Sequence, residues 1–293
     1  MNKILVINLA RFGDIVQSTP MLHGLKIKYP ECRLTLMINK QFSYVRPIIP
    51  DVDHFVEVDF GRICKLFYSG DTFVEDTYNY FKDFFGNLKE KRFDKIINIT
   101  PHYAGVYTAM LAGSATSMGT RMSEWQKYYI NITRHWKTLS FHVVDLFVKM
   151  AGLSQQRIIP KLNVDAAAIK SADQFLKKSG IKKDEMLIGF HTGASKPEKQ
   201  WPDEFFYEVA EKIIVNLNAR IILFGTESES SINNKILNIK EGRVLNASGK
   251  TNAVELASLL SRLNIFITND TGPMHVAAAG GTKVISVHMG KEQ

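Results

Sequence analysis

Apolar, β-branched runs recur at residues 3–9, 33–39, 54–59 and 95–100, separated in several places by stretches whose apolar positions follow helical spacing. That is a βα alternation. The pattern predicts a first helix over residues 14–28, with Ile15, Val16, Leu22, Leu25 and Ile27 as apolar positions and Pro30 as its stop. Between Gly61 and Gly86 lie Phe67, Tyr68, Phe73, Tyr78, Tyr80, Phe81, Phe84 and Phe85, a density that fits helices packed on the sheet or the lining of a cleft. After a helix predicted over residues 142–152, the stretch 154–164 has Pro160 and little periodicity and reads as a connection. A second series follows, with strands at 186–192, 220–226, 244–247, 265–270 and 283–288 and helices at 203–217, 228–239 and 253–263. The expected architecture is α/β: two doubly wound Rossmann-like domains, residues 1–160 and 161–293, facing each other across a cleft.

One junction stands out for chemistry. In Ile265-Phe-Ile-Thr-Asn-Asp270-Thr-Gly-Pro-Met-His275 an apolar strand runs into an alanine-rich helix, predicted to end at Asp270 and to begin near Met274. Backbone N–H groups at such a helix start, together with its dipole, attract a diphosphate. Gly272 permits close backbone approach, Thr271 adds a hydroxyl, Asp270 can accept from a sugar hydroxyl and His275 sits on the first turn. An ordinary capped turn explains the same letters.

The first strand closes on Asn8-Leu-Ala-Arg11-Phe-Gly13-Asp14, without the three-glycine spacing of a dinucleotide fingerprint. Gly13 suggests a sharp turn, and Asp14 suits either a general base or the N-cap of the first helix. Residues 191–202 form a small-residue loop, His191-Thr-Gly193-Ala-Ser195, followed by Lys199 and Trp201-Pro202. Gly193 and Ser195 can approach a phosphate, and Lys199 can neutralise charge on a departing diphosphate. Glu227 and Glu229 compete for the acidic position after the next strand, where a carboxylate can hold nucleoside hydroxyls. Asp51-Val-Asp53 matches a short metal-transferase pattern but has no neighbouring ligand in sequence, so it reads as a turn and no metal site is expected. No P-loop spacing occurs.

A net charge of +8 points to an anionic partner, and residues 1–160 carry most of it, with 20 Lys and Arg against 14 Asp and Glu. Nucleic acid is the weakest such partner, because no recognition motif accompanies the charge. Charge alone does not choose between an anionic glycolipid or glycan and an anionic membrane surface contacted peripherally. No apolar run is long enough to cross a membrane, so a cytoplasmic location is expected. Two cysteines, Cys32 and Cys64, without paired spacing support neither a zinc site nor a disulfide framework.

Gly13-Asp14 with Thr19-Pro20, Gly193-Ala-Ser195 followed by Lys199-x-Trp201-Pro202, and Asp270-Thr-Gly-Pro-Met-His275 with Ala277-Ala-Ala together resemble the ADP-heptose:lipopolysaccharide heptosyltransferases of glycosyltransferase family 9. The resemblance spans nearly the whole chain. It implies a GT-B fold, inversion at the anomeric carbon, ADP-heptose or a similar nucleotide sugar as donor, no cofactor, and no metal in the transfer step. Asp14 then matches the family's base and Lys199 its phosphate-side lysine. Gly193, Ser195, Asp270, Thr271, Gly272 and His275 match the donor-binding loops, and Glu229 falls near an acidic residue on the nucleoside. Two other readings stay open: a same-fold transferase using another nucleotide sugar, and a non-catalytic nucleotide- or glycan-binding member. The tail after Val284 looks shorter than the family's, which favours the second of these.

Overall fold

The computed structural model describes residues 2–59, 61, 74–100, 105, 108–109, 112–113, 142–153, 159–182, 184–227 and 230–289. They belong to two compact units, Met1–Ile159 and Pro160–Gln293.

In the first unit β1 (Lys3–Asn8), β2 (Arg33–Asn39), β3 (His54–Val58) and β4 (Lys95–Asn98) form a sheet in the order β3-β2-β1-β4. Every pairing is parallel. Parallel sheets are covered on both faces, which is why β1 and β2 are buried beyond their first residue. The described helices are α1 (Phe12–Gln17), α2 (Thr19–Lys28), α3 (Val74–Glu90) and α4 (Val143–Met150). On α3, Phe81, Phe84 and Phe85 pack on a core that includes Leu5, Ile7, Met37 and Phe93, whereas Tyr78 is exposed. Packing therefore accounts for Phe81, Phe84 and Phe85 but not for Tyr78; Phe67, Tyr68 and Phe73 lie outside the described residues.

The helix predicted over residues 14–28 is in fact two, divided at Ser18, and the reason is Pro20. Without an N–H, Pro20 cannot serve the Val16 carbonyl. The Thr19 hydroxyl donates to it instead (2.9 Å), and the Ser18 hydroxyl donates to Ile15 O (2.7 Å). Gly13 is likewise not a turn residue but lies buried inside α1.

The second unit repeats the plan with one strand more. Strands β5 (Leu187–His191), β6 (Arg220–Phe224), β7 (Val244–Asn246), β8 (Ile265–Asn269) and β9 (Lys283–Val287) pair in parallel in the order β7-β6-β5-β8-β9. The described helices are α5 (Ala166–Lys178), α6 (Asp203–Leu217), α7 (Ser230–Leu237), α8 (Ala253–Leu260) and α9 (Gly272–Ala279). The apolar pattern did not announce α5. Its buried positions are alanines, Ala168 and Ala172, and its Ile169 is exposed, so only the Asp165 cap marks it (Ala168 N–H to Oδ1, 2.7 Å). The core sets Phe190 of β5 against Phe206 of α6, ring centroids 6.0 Å apart and planes tilted by 56°. On β5, Gly189 leaves room for neighbours: an added Cβ would lie 2.3 Å from Leu263 and 2.9 Å from Phe266.

In each sheet the strand order reverses beside its first strand, between β1 and β4 and between β5 and β8. At such a switch point the connections after the two strands leave to opposite faces and open a crevice at the carboxyl edge.

Candidate functional site

At the β5–β8 switch point two connections meet. After β5 the chain makes a short excursion, residues 192–201, before α6; after β8 only Asp270 and Thr271 separate strand from helix. The strand predicted to reach Asp270 stops at Asn269, and the helix predicted near Met274 starts at Gly272, because Pro273 fits the first helical turn. Pro273 has no N–H, and Met274 N–H is turned back on Thr271 O (3.2 Å). Thr271 and Gly272 thus carry the backbone donors at this helix start.

The two connections are joined by charge. Lys199 Nζ lies 2.6 Å from Asp270 Oδ2, with both side chains about one-third exposed (36% and 34%). The Lys199 hydrogen bond holds the Asp270 carboxyl below its ordinary range against the opposing effect of burial, and the positive ends of Lys199, His288 and His275 add to it. His288, just past β9, therefore belongs to this corner, and its Nε2 is 2.9 Å from Ser286 Oγ. Sequence reasoning gave His288 no place; the β8–β9 register puts it there. Thr271 Oγ1 lies 3.4 Å from Nδ1 of His191 and 3.3 Å from Thr268 Oγ1, which ties the helix start to the end of β5.

Behind these groups is a residue the sequence reading passed over. Asn269, fully buried, donates from Nδ2 to Thr192 O (2.8 Å) and Gly193 O (3.1 Å), and its Oδ1 accepts from Trp201 N–H (3.0 Å). The far end of the excursion is held further by the Trp201 ring, 4.9 Å edge-on from Phe206. Gly193 is buried at its base, Ser195 is exposed at its crest, and Lys199 closes a 3₁₀ turn, Pro197–Lys199. His275 is half-buried on the first turn of α9. Glu229 lies outside the described residues; its competitor Glu227 lays its side chain over Gly249, where an added Cβ would come within 2.6 Å of Glu227 Cγ.

In the first unit Asp14 sits at the other switch point. It is not the N-cap of α1 but its third residue; the cap is Arg11, whose N–H donates to Asp14 Oδ2 (3.1 Å). One carboxylate oxygen thus secures the helix start, and the group is half-buried. Asn8, at the end of β1, donates from Nδ2 to Asp14 O (3.1 Å), and Thr100 Oγ1 accepts from Leu9 N–H (2.9 Å). These bonds fix the turn from strand to helix from both sides.

Asp51 and Asp53 have partners that sequence spacing hid. Asp51 pairs with His23 (3.0 Å), and Asp53 pairs with Lys26 (2.6 Å) and accepts Leu34 N–H (2.6 Å). Both stand at the amino end of β3, away from the carboxyl edge that carries Asp14, and Asp51 has a left-handed φ of 65°. They fasten a turn. Among the described residues no group of three or more His, Cys, Asp or Glu side chains converges as a metal ligand set.

Comparison with known proteins agrees with this layout. Lipopolysaccharide core heptosyltransferase OpsX of Haemophilus influenzae is 25% identical over 291 residues, covering 97% of this chain and 78% of that protein. A crystal structure of a family 9 glycosyl transferase from Veillonella parvula superposes with a TM-score of 0.79 at 24% identity, covering 97% of this chain and 80% of that one. E. coli heptosyltransferase WaaC, solved with ADP, superposes at 0.68 and 16% identity over 97% of this chain and 86% of its own. These neighbours carry the GT-B fold. The family model described as glycosyltransferase family 9 (heptosyltransferase) matches residues 82–291, which takes in the second half of α3, the second unit but for its last two residues and every donor-side candidate, and the chain belongs to that family.

Proposed function

We propose that this glycosyltransferase moves a heptose from ADP-heptose to a lipopolysaccharide core or related anionic glycan, inverting the anomeric carbon without a metal in the transfer step. The observation that carries this reading is the meeting of Lys199, Asp270, Thr271 and Gly272 at the β5–β8 switch point, where an anion would find an ammonium and backbone donors together. Family membership and the OpsX and WaaC likenesses support the choice of sugar and nucleotide.

In the reaction we infer, Asp14 takes the proton of the acceptor hydroxyl, the oxygen attacks the anomeric carbon, and the bond from that carbon to the diphosphate breaks. ADP leaves with the bonding electrons. Lys199 and the Thr271 and Gly272 N–H groups meet the charge that builds on the diphosphate, and Asp270, with His275, takes donor hydroxyls once Lys199 turns to phosphate. Gly193 and Ser195 contribute close backbone approach and a hydroxyl, and Glu229 takes the nucleoside. The first domain, residues 1–160, holds the acceptor and the second, 161–293, the donor. The excess of basic residues in the first supports an anionic acceptor presented at the cytoplasmic face of a membrane, with the enzyme bound peripherally. Among the described residues no helix is long and apolar enough to cross one.

Calorimetric titration with ADP-heptose, ADP and other nucleotide sugars in chelator tests the reading. Selective binding of ADP-heptose is expected. Preference for another nucleotide sugar would replace the donor, and no nucleotide binding at all would reject the site.

A further inference from the structure

Five of the nine described strands end in asparagine: Asn8, Asn39, Asn98, Asn246 and Asn269. Four of these side chains act locally. Asn8, Asn39, Asn98 and Asn246 each accept through Oδ1 the N–H two residues ahead, at 3.3, 3.3, 3.1 and 2.9 Å, closing a turn after the strand. Asn269 does not. Its side chain bonds across to another connection, with Thr192 O and Gly193 O at one foot of the 192–201 excursion and Trp201 N–H at the other.

We propose that Asn269 is a positioning residue for the donor site. Its amide clamps both feet of the loop that carries Gly193, Ser195 and Lys199 to the strand that leads directly into Asp270 and Thr271. Backbone bonds within the crest are short-range, Lys199 N–H to Lys196 O and Gln200 N–H to Pro197 O, both 3.0 Å, and Gln200 Nε2 donates to Asp203 Oδ1 at 3.1 Å. These shape the crest without joining it to β8. A loop released from Asn269 would sample more positions of the ammonium, because the Lys199–Asp270 pair is one-third exposed and screened by solvent. A clamped loop delivers it to one, and a preorganised charge binds an anion more tightly than one that must first be ordered. The orientation of the amide follows from its partners: two carbonyls require the NH₂ end, and the Trp201 N–H requires the oxygen. Asn269 touches no substrate; it acts through the backbone of residues 192, 193 and 201. This inference rests on the diphosphate reading of the site, although the clamp itself is testable without any ligand.

Hydrogen exchange on the full chain tests the clamp first. In the unaltered protein the Trp201 amide should exchange at least tenfold more slowly than the amides of the exposed crest, Lys196 and Glu198. Fast exchange at Trp201 would overturn the proposal outright. Asn269→Asp keeps the size and the acceptor for Trp201 but turns an oxygen toward two carbonyls, and Asn269→Ser keeps one donor should the aspartate variant fail to fold. In either variant exchange across residues 192–201 should rise at least tenfold while the amides of β6 and the middle of α6 stay unchanged, and the Kd for ADP should rise at least tenfold. A uniform rise everywhere would mark a merely structural role, and a loosened loop with unchanged ADP affinity would refute positioning. Failure of the unaltered protein to bind ADP would instead reject the diphosphate reading, and the exchange data would still decide whether Asn269 holds the loop.

Discussion

Lys199 and Asp270 make opposite predictions although they form one ion pair. In the ligand-free protein the Lys199 ammonium is already neutralised by Asp270 at 2.6 Å, so an arriving diphosphate must draw it away. The pair is one-third exposed, and opening such a pair costs about 0–1 kcal/mol. A charge-assisted bond from the ammonium to phosphate contributes about 1.5–3 kcal/mol. Lys199→Ala loses that bond and no longer incurs the opening, for a net loss of about 0.5–3 kcal/mol, or ~2- to 160-fold weaker ADP binding. Asp270→Asn removes the competitor and a carboxylate that repels the diphosphate, so ADP should bind as tightly as before or up to ~10-fold tighter. Transfer should nevertheless slow in Asp270→Asn if Asp270 serves the sugar. Calorimetry with ADP reads the two affinities, and thermal melts should show less than ~1 kcal/mol lost in each variant, because solvent screens both partners. An Asp270→Asn protein that binds ADP as poorly as Lys199→Ala would refute the competition: Asp270 would then be holding Lys199 in place for phosphate.

The same pair sets a pH dependence. The Asp270 carboxyl is held below its ordinary 3.8, chiefly by the Lys199 hydrogen bond, so its contribution to stability is complete above that value and is lost as pH falls through the lowered one. Asp270→Asn should therefore flatten the stability curve only below about pH 4, leaving its slope near neutrality unchanged while stability there falls by less than ~1 kcal/mol.

Asp14→Asn keeps an oxygen for the Arg11 N–H but loses the base; turnover should fall by about 100-fold or more, with ADP affinity within twofold, and preserved turnover would remove Asp14 from the reaction. Gly189→Ala drives a methyl to 2.3 Å from Leu263, between Phe224 and Phe266, and should destabilise the second unit by ~1–3 kcal/mol in a denaturant titration. An unchanged midpoint would mean that the packing around β5 is looser than described. Gly249→Ala combines a left-handed φ of 68° with a 2.6 Å contact on Glu227 and should cost about 1–3 kcal/mol; a loss below 0.5 kcal/mol would contradict both features.

The strands were the most legible part of the chain. Runs such as Lys3–Asn8 and Arg33–Asn39 are apolar throughout because a parallel sheet is buried on both faces, and that signal survives in any sequence window. Helices were legible where their buried side chains are large or, as in Gly272–Ala279, where a strand-to-helix junction marks the start. The helix Asp203–Leu217 was foreseen to the residue, since Phe206, Ile213 and Ile214 give its period, whereas Ala166–Lys178 buries alanines and went unseen. At the candidate site the charged and small residues could be picked out, but not their mutual arrangement. That Lys199 meets Asp270 depends on β5 lying beside β8, 71 positions apart in the chain, and no local pattern records such a pairing. Asp51 shows the same limit from the other side, because its partner His23 lies on α2.

The two sheets also show how one device is used for two purposes. Each central switch point needs a backbone excursion held still at the carboxyl edge, where by construction the sheet's own hydrogen bonds have ended. In the first unit the excursion after β1 is short, and a local bond suffices: Asn8 closes its turn on Ala10 and reaches Asp14 O just beyond. In the second unit the excursion after β5 runs to Trp201, too long for any residue of β5 to hold both ends. The asparagine that holds it must come from the neighbouring strand, and that strand is the one that continues into Asp270 and Thr271. One side chain therefore joins both feet of the loop to the strand that leads into the helix start. An error in its placement would move the ammonium and the backbone donors relative to each other, which is why replacing Asn269 should weaken ADP binding more than removing any one exposed hydroxyl such as that of Ser195.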